Sequence, residues 1–352
     1  MKKQIKKTSD KFGSLRLGVR AVRYLASVLT AVSVAFAMSF TFIPSYASAQ
    51  AASPKVLFSS GVKKVVGKYV ISSDSELPAG ATLNVRDGAQ LYIKKGATLT
   101  VNGKINIFSG GKMFVQGKVV TGEGSRISDS GRLKIQNTGK LSLGGTLLVN
   151  KKGTVVGQGT LEVLNSFYDI DCRGTVTAKI KAPAPVEKDG LTTVGGVLIV
   201  NRQFSVPEDY GDGLDETTYS AYLTMREESG YNMTILSGFR SYEKQKNTFA
   251  YWAAKDGWEE ADRYSAQPGH SEHQTGLAMD ISSLSQSYGE TAEGKWLAAH
   301  CWEYGFLLRY PQNSEHITGY IYEPWHVRYL GESTAKLVHD SGLTLEEFLG
   351  VA

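Results

Sequence analysis

Cysteine is nearly absent from this 352-residue chain: only Cys172 and Cys301 occur, far apart, and no Cys-x-x-Cys pair exists to hold a metal. A single bridge between them suits an oxidising compartment, and so do two buried thiols, because spacing alone does not fix their geometry. Histidine is also scarce. Its six copies, at 270, 273, 300, 316, 326 and 339, all lie beyond residue 269. The preceding Gly-rich stretch therefore has no imidazole. It also lacks the clustered carboxylates of calcium-binding repeats, and no basic-aromatic platform is expected in it.

Positive charge is concentrated at the start. The chain carries 39 Lys and Arg against 34 Asp and Glu, a formal charge of +5. Residues 1–23 contain eight of the cations and one acid, Asp10, and an apolar stretch over 24–43 follows, then Ala47-Ser48-Ala49. That order matches a secretory signal over residues 1–49 with a long basic region. The apolar run is also long enough to be read as a membrane span, since about 20 apolar residues cross a bilayer. The protein is thus expected to be secreted to the cell wall or surface, or anchored in the membrane if the signal is not cleaved. Cleavage after Ala49 leaves 31 cations and 33 anions, a formal charge of −2. No nucleic-acid partner or polybasic membrane contact is expected from so small a balance.

From 56 to 180 the composition shifts to Gly, Thr, Val, Leu and Lys in short phrases such as Gly96-Ala-Thr-Leu-Thr-Val and Gly139-Lys-Leu-Ser-Leu. Each is a turn followed by a short alternating strand. Glycines at 103, 117, 131, 145 and 159 stand 14 residues apart, with an offset series at 139 and 153. One such unit carries two short strands and cannot bury its apolar face alone, whereas stacked units can. A Gly-rich all-β repeat module, β-solenoid-like, is expected, with an antiparallel sandwich as the alternative. Its place between export signal and catalytic region suggests wall attachment or a plain structural stalk.

Residues 181–192, with Ala-Pro-Ala-Pro, form a Pro-containing linker. Beyond it, 193–352 mixes strand patterns at 197–201, 277–281 and 306–310 with helical composition at 219–229, 243–255 and 294–304, which predicts an α+β domain. Trp258, Trp296, Trp302 and Trp325 fit its core or the walls of a cleft.

That domain holds the chemistry. Ser271-Glu272-His273-Gln274-Thr275-Gly276-Leu277-Ala278-Met279-Asp280 and Glu323-Pro324-Trp325-His326 supply two imidazoles, one ligand-grade carboxylate and a spare glutamate. A hydrolytic zinc centre needs three protein donors, an open position for water and a base. His273, Asp280 and His326 fill the first requirement and Glu323 the last. This donor set favours zinc over magnesium or calcium. The spacing is not the one-turn His-Glu-x-x-His arrangement, so the site is expected to be strand-built, with Asp280 on a buried strand and Glu323 extended by Pro324. Arg240, a permanent cation with a planar fork of donors, suits a carboxylate or a developing oxyanion. His270 and His316 lie close enough in sequence to compete as ligands, and are expected to be bystanders. His300 and His339 belong to helical stretches.

The Ser-x-His-x-x-Gly-x-Ala-x-Asp and Glu-x-x-His strings resemble the VanY-type D-Ala-D-Ala carboxypeptidases, in the group of zinc peptidases that includes lysostaphin-like enzymes and hedgehog domains. Ser237-Gly238-Phe239-Arg240-Ser241-Tyr242 and the run from Tyr304 to Pro311 belong to the resemblance, which spans about 195–332. It implies zinc on His273, Asp280 and His326, with Glu323 as general base and Arg240 on the oxyanion. It also implies that Gln245, Ser271 and Tyr310 hold the peptide near its free carboxylate, and that peptidoglycan stem peptides are the partner. Members of such a group trim D-Ala-D-Ala pentapeptides or, as L,D-carboxypeptidases, tetrapeptides, and both substrates end in D-Ala. A non-catalytic wall-binding protein and a lysin-type endopeptidase are the other readings. The retained Glu323 argues against the first, and the Arg240 segment, suited to a free chain end, against the second.

Overall fold

Short strands with the exposure pattern out-in-half-in, found in six of the seven from Lys104–Ile107 to Thr146–Val149, can satisfy their inward Val, Leu and Ile only by stacking. In the computed structural model, which describes residues 53–352, they do so as a β-solenoid of about six turns. Three parallel sheets, of seven, six and six strands, form its sides. Lys118 pairs with Thr98 on one side and Lys140 on the other, so successive rungs are 20 and 22 residues long.

A rung therefore takes three strands, while the 14-residue sequence unit carries two. Three units fill two rungs, and each successive glycine of the series falls two corners further on, so that three of them visit all three corners. Gly103, Gly117 and Gly131 precede strands in three different sheets. At Gly117 an added Cβ would lie 2.2 Å from the carbonyl oxygens of both Lys94 and Ala97, and at Gly103 it would lie 2.2 Å from that of Ala81. The corner packs directly on the backbone of the previous rung, which leaves room for hydrogen alone.

One buried polar group sits badly in this core. Asp129 is fully buried; one carboxylate oxygen accepts from the Gly131 amide at 2.9 Å and the other has no partner. Burial pushes its pKa up to about 6, against the opposing backbone hydrogen bonds. A raised folded pKa means stability that is full below the unfolded value of 3.8 and is lost as pH rises through about 6. At about 1.4 kcal/mol per unit, the loss across that window is about 2–3 kcal/mol. Denaturant titrations at pH 4 and pH 7 should therefore show wild-type stability falling by about that amount relative to Asp129→Asn across the window.

Residues 181–192, expected as a linker, follow the last solenoid strand, Lys179–Lys181, and themselves supply the first strand and part of the second of a three-stranded antiparallel sheet, Val186–Lys188, Leu191–Val194 and Val197–Leu198. Helices follow at Glu216–Ser229 (α1), Tyr242–Asp256 (α2), Trp258–Ala261 (α3), Ala292–His300 (α4), Glu315–Thr318 (α5), Glu332–Ser341 (α6) and Leu345–Leu349 (α7). They surround a four-stranded antiparallel sheet in the order Ile235–Ser237, Ala278–Ile281, Glu323–Tyr329, Phe306–Tyr310. The stretch expected as a helix over 294–304 divides at Cys301 into α4 and a 3-10 turn.

Residues 53–352 form one compact unit. The C-terminal helices cap the end of the solenoid: Leu337, Val338, Leu345 and Phe348 belong to the same apolar core as the solenoid's Leu147, Val149 and Phe167. The rings of Phe167 and Phe348 are 5.1 Å apart, and the Cys172 amide donates to Ser333 Oγ at 3.0 Å. Cys172 and Cys301 are separate buried thiols. The export signal expected over 1–49 lies outside the described residues, and no helix among those described is long and apolar enough to cross a membrane.

Candidate active site

Two adjacent strands carry the centre. Ala278–Ile281 is buried throughout and pairs with Glu323–Tyr329 so that Asp280 and His326 are direct cross-strand partners. On the far side of Glu323–Tyr329, Tyr310 stands opposite Glu323. His273 arrives from a 3-10 turn, Glu272–Thr275, that ends on left-handed Gly276. A Cβ on Gly276 would meet the Gly213 carbonyl at 2.3 Å, so the turn that delivers His273 requires glycine there.

Asp280 lies between the imidazoles: His273 Nε2 is 3.1 Å from Oδ2 and His326 Nδ1 is 3.0 Å from Oδ1. Donor atoms of these three residues all fall within 4.8 Å of one another. Donors around a tetrahedral ion with bonds of about 2.0–2.2 Å stand roughly 3.3–3.6 Å apart, so the set fits zinc in both spacing and donor type. His273 Nδ1 donates to the Gly238 carbonyl at 2.7 Å, which leaves Nε2 free to ligate. Glu323 has an oxygen 3.7 Å from His326 Nδ1 and lies beside the three donors rather than among them. His270 instead bonds the Asn201 carbonyl, and His316 is on α5.

Electrostatics separate the two carboxylates. Burial alone would raise Asp280, but His273 and His326 hold it well below the usual carboxylate range. Glu323 is pushed up to about 8, first by burial and then by Asp280, against the pull of His326 and Arg240. Burial lowers His273. His326 would be lowered by burial too, yet its hydrogen bonds to Asp280 and Glu272 push it up to about 9. Two carboxyl groups with opposed pKa values divide into a ligand and a proton carrier.

Arg240, Ser271, His273, Asp280, Tyr310, Glu323 and His326 all line one cavity of about 420 Å3, with Trp252, Tyr264, Tyr320 and Trp325 among its walls. Trp258, a candidate for core or cleft, is instead half exposed. Gln245 departs from its expected place beside the substrate. It is fully buried, its oxygen accepts from Arg240 at 2.7 Å, and its amide nitrogen donates to the Ala266 carbonyl. With its hydrogen bonds spent inside the protein, it holds Arg240, which Ser237 Oγ also accepts at 2.9 Å. Arg240→Lys keeps the charge but loses this fork. It should lower kcat/KM on a D-Ala-terminated peptide by about 10²-fold with the fold intact, measured by steady-state kinetics.

Sequence reasoning missed the support beneath these residues. Glu272, a mere spacer in the motif, is fully buried and places Oε2 3.4 Å from His326 Nε2. Its other oxygen accepts from Arg309 and Arg328, both at 2.8 Å, and Arg309 continues to Glu346 on α7 at 2.5 and 2.9 Å. The available signal was Arg309 inside the apolar run Phe306–Tyr310, where a buried cation requires partners.

Two imidazoles and a carboxylate open to a cavity, with a glutamate at their side, make the protein a metallopeptidase. Residues 213–332 match the VanY family, described as D-alanyl-D-alanine carboxypeptidase. The putative carboxypeptidase YodJ of Bacillus subtilis is 38% identical over 192 residues, covering 46% of this chain and 70% of that protein. Among solved structures, an L,D-carboxypeptidase DacB from Streptococcus pneumoniae is 37% identical, covering 48% of this chain and 96% of that one, with a TM-score of 0.44. A D,D-pentapeptidase VanY variant from a VanB-type resistance cassette, solved in complex with Zn(II), is 32% identical over 43% of this chain and 97% of that one, with a TM-score of 0.38. The chain belongs to the VanY D-alanyl-D-alanine carboxypeptidase family.

Proposed function

We propose that the protein is an exported zinc carboxypeptidase that removes the terminal D-alanine from peptidoglycan stem peptides. The observation that carries this reading is the pairing of Asp280 with His326 across two strands, with Glu323 and Arg240 facing the same cavity. His273, Asp280 and His326 would hold the ion. Zinc bound there supplies a water whose pKa falls from 15.7 to about 7 and polarises the scissile carbonyl. Glu323, poised near neutrality by burial, takes a proton from the attacking water and returns it to the leaving amine as the C–N bond breaks. Arg240 faces the negative charge of the oxyanion or of the substrate's terminal carboxylate. Gln245 and Ser237 fix its fork in place, while Ser271 and Tyr310 border the peptide.

Because a proton and a metal compete for His326, which is raised to about 9, metal loading should fall steeply with acid. The test is metal content, by elemental analysis, beside alanine release after chelation and after zinc is restored. Loss and recovery of both together support the reading; alanine release that survives complete chelation removes it.

A further inference from the structure

The chain after residue 49 is nearly neutral in sum, yet its two halves are strongly and oppositely charged. Residues 56–180 hold 17 Lys and Arg against 8 Asp and Glu, a net +9, while 193–352 hold 11 against 23, a net −12. The solenoid register sorts these cations further. In the sheet containing Lys68–Ile71, Gln90–Ile93, Lys112–Val115 and Arg132–Ile135, Lys112 pairs in register with Gln90 and Arg132, and Lys68 with Gln90. Two positions along, Phe114 is flanked by Tyr92 and Lys134. No strand of this sheet contains an Asp or Glu.

Parallel in-register strands stack at about 4.8 Å, so residues some 20 apart in sequence form continuous rows. The rings of Tyr92 and Phe114 stack at 4.6 Å and 13°, and Lys68 Nζ lies 4.8 Å from the Tyr92 ring centre. Lys68, Lys112 and Arg132 are exposed, and Tyr92, Phe114 and Lys134 are half-buried. A basic-aromatic platform that the linear sequence does not display is thus assembled by the fold.

We propose that this face of the solenoid binds the glycan strands of peptidoglycan, its cations pairing with stem-peptide carboxylates and the outward edges of the Tyr92–Phe114 pair packing against the sugars. Charge complementarity calls for a polyanion, because three of the sheet's six strands carry Lys68, Lys112, or Arg132 with Lys134, and none carries a carboxylate. The half-buried aromatic pair adds an apolar strip on which the sugars of such a polymer can rest. Peptidoglycan is the polymer that meets both demands and also carries the stems the cavity would trim, so the assignment rests on the carboxypeptidase reading. The solenoid and peptidase share one core. A strand held on the solenoid is therefore tethered to the same compact unit as the catalytic cavity, which raises the effective concentration of its stem ends.

The test is co-sedimentation with insoluble peptidoglycan freed of phosphodiester polymers, using Glu323→Ala protein so that binding does not depend on turnover. One variant carries Lys68→Ser, Lys112→Ser, Arg132→Ser and Lys134→Ser; a second carries Tyr92→Thr and Phe114→Thr. Both should bind at least tenfold more weakly, and wild-type binding should fall with added salt. The same changes in a Glu323-intact chain should leave turnover of a soluble pentapeptide unchanged while raising KM on polymeric substrate. Unaltered sedimentation of both variants would overturn the proposal. So would loss of wild-type binding once phosphodiester polymers are stripped, or equally tight binding to duplex DNA. Failure of the carboxypeptidase reading looks different: binding persists, but no alanine leaves the soluble peptide.

Discussion

Glu323→Ala should lower kcat by about 10²–10⁴-fold while zinc content and fold stay as in the wild type, the usual worth of a positioned general base. Glu323 borders the cavity, and its oxygen approaches the His326 ring without being one of the three clustered donors. Its removal therefore takes away a proton carrier and leaves the ion-binding set intact. Burial holds this carboxyl near neutrality, where a group can accept a proton in one step and release it in the next. Steady-state kinetics beside metal analysis separates the two roles: a variant that loses both zinc and activity would show Glu323 to be a ligand. Activity within tenfold of the wild type would remove it from catalysis altogether.

Arg309→Met should destabilise the protein by about 3–5 kcal/mol, because breaking a buried ion pair strands its partner charge. Arg309 has no exposed surface and joins two buried carboxylates, Glu272 and Glu346. Burial alone would raise both, but Arg309 in each case, with Arg328 beside Glu272, holds them below the usual range. Carboxylates lowered in this way contribute stability that is present above the unfolded value of about 4.5 and is lost as pH falls through the folded value. Denaturant unfolding should thus show a large loss in Arg309→Met at neutral pH and a smaller one in acid. The double variant Arg309→Met with Glu346→Gln should recover part of the difference. The same change reaches the site, since Glu272 contacts His326 and Glu346 lies on a helix that packs against the solenoid. A fall in activity alongside stability is expected, and an unchanged Tm at neutral pH would contradict this account of the network.

The cavity residues were legible because their chemistry is local. Histidines and carboxylates at fixed spacing, a glycine turn and a proline after Glu323 announce ligands on strands, and the fold places Asp280 opposite His326. The solenoid was legible as stacking, from glycine period and strand alternation. Its three-sided rung was not, because a 14-residue unit with two strands carries no information about how many strands close a turn. The basic-aromatic face was hidden for the same reason: Lys68, Tyr92 and Phe114 are neighbours only in the rung register. Gln245 was misplaced because a motif records position and not direction; its amide turns toward Arg240 and the backbone of Ala266. The Glu272–Arg309–Glu346 chain could not be read because its members are 37 residues apart at each step and meet only in the folded interior.

The most direct test of the central claim is mass spectrometry of synthetic pentapeptide and tetrapeptide stems after incubation with zinc-loaded protein. At least one of the two stems should lose a single alanine, and Glu323→Ala protein should leave both unchanged. Loss from the tetrapeptide alone would place the activity in the L,D class, and intact peptides with metal-replete protein would contradict the carboxypeptidase itself.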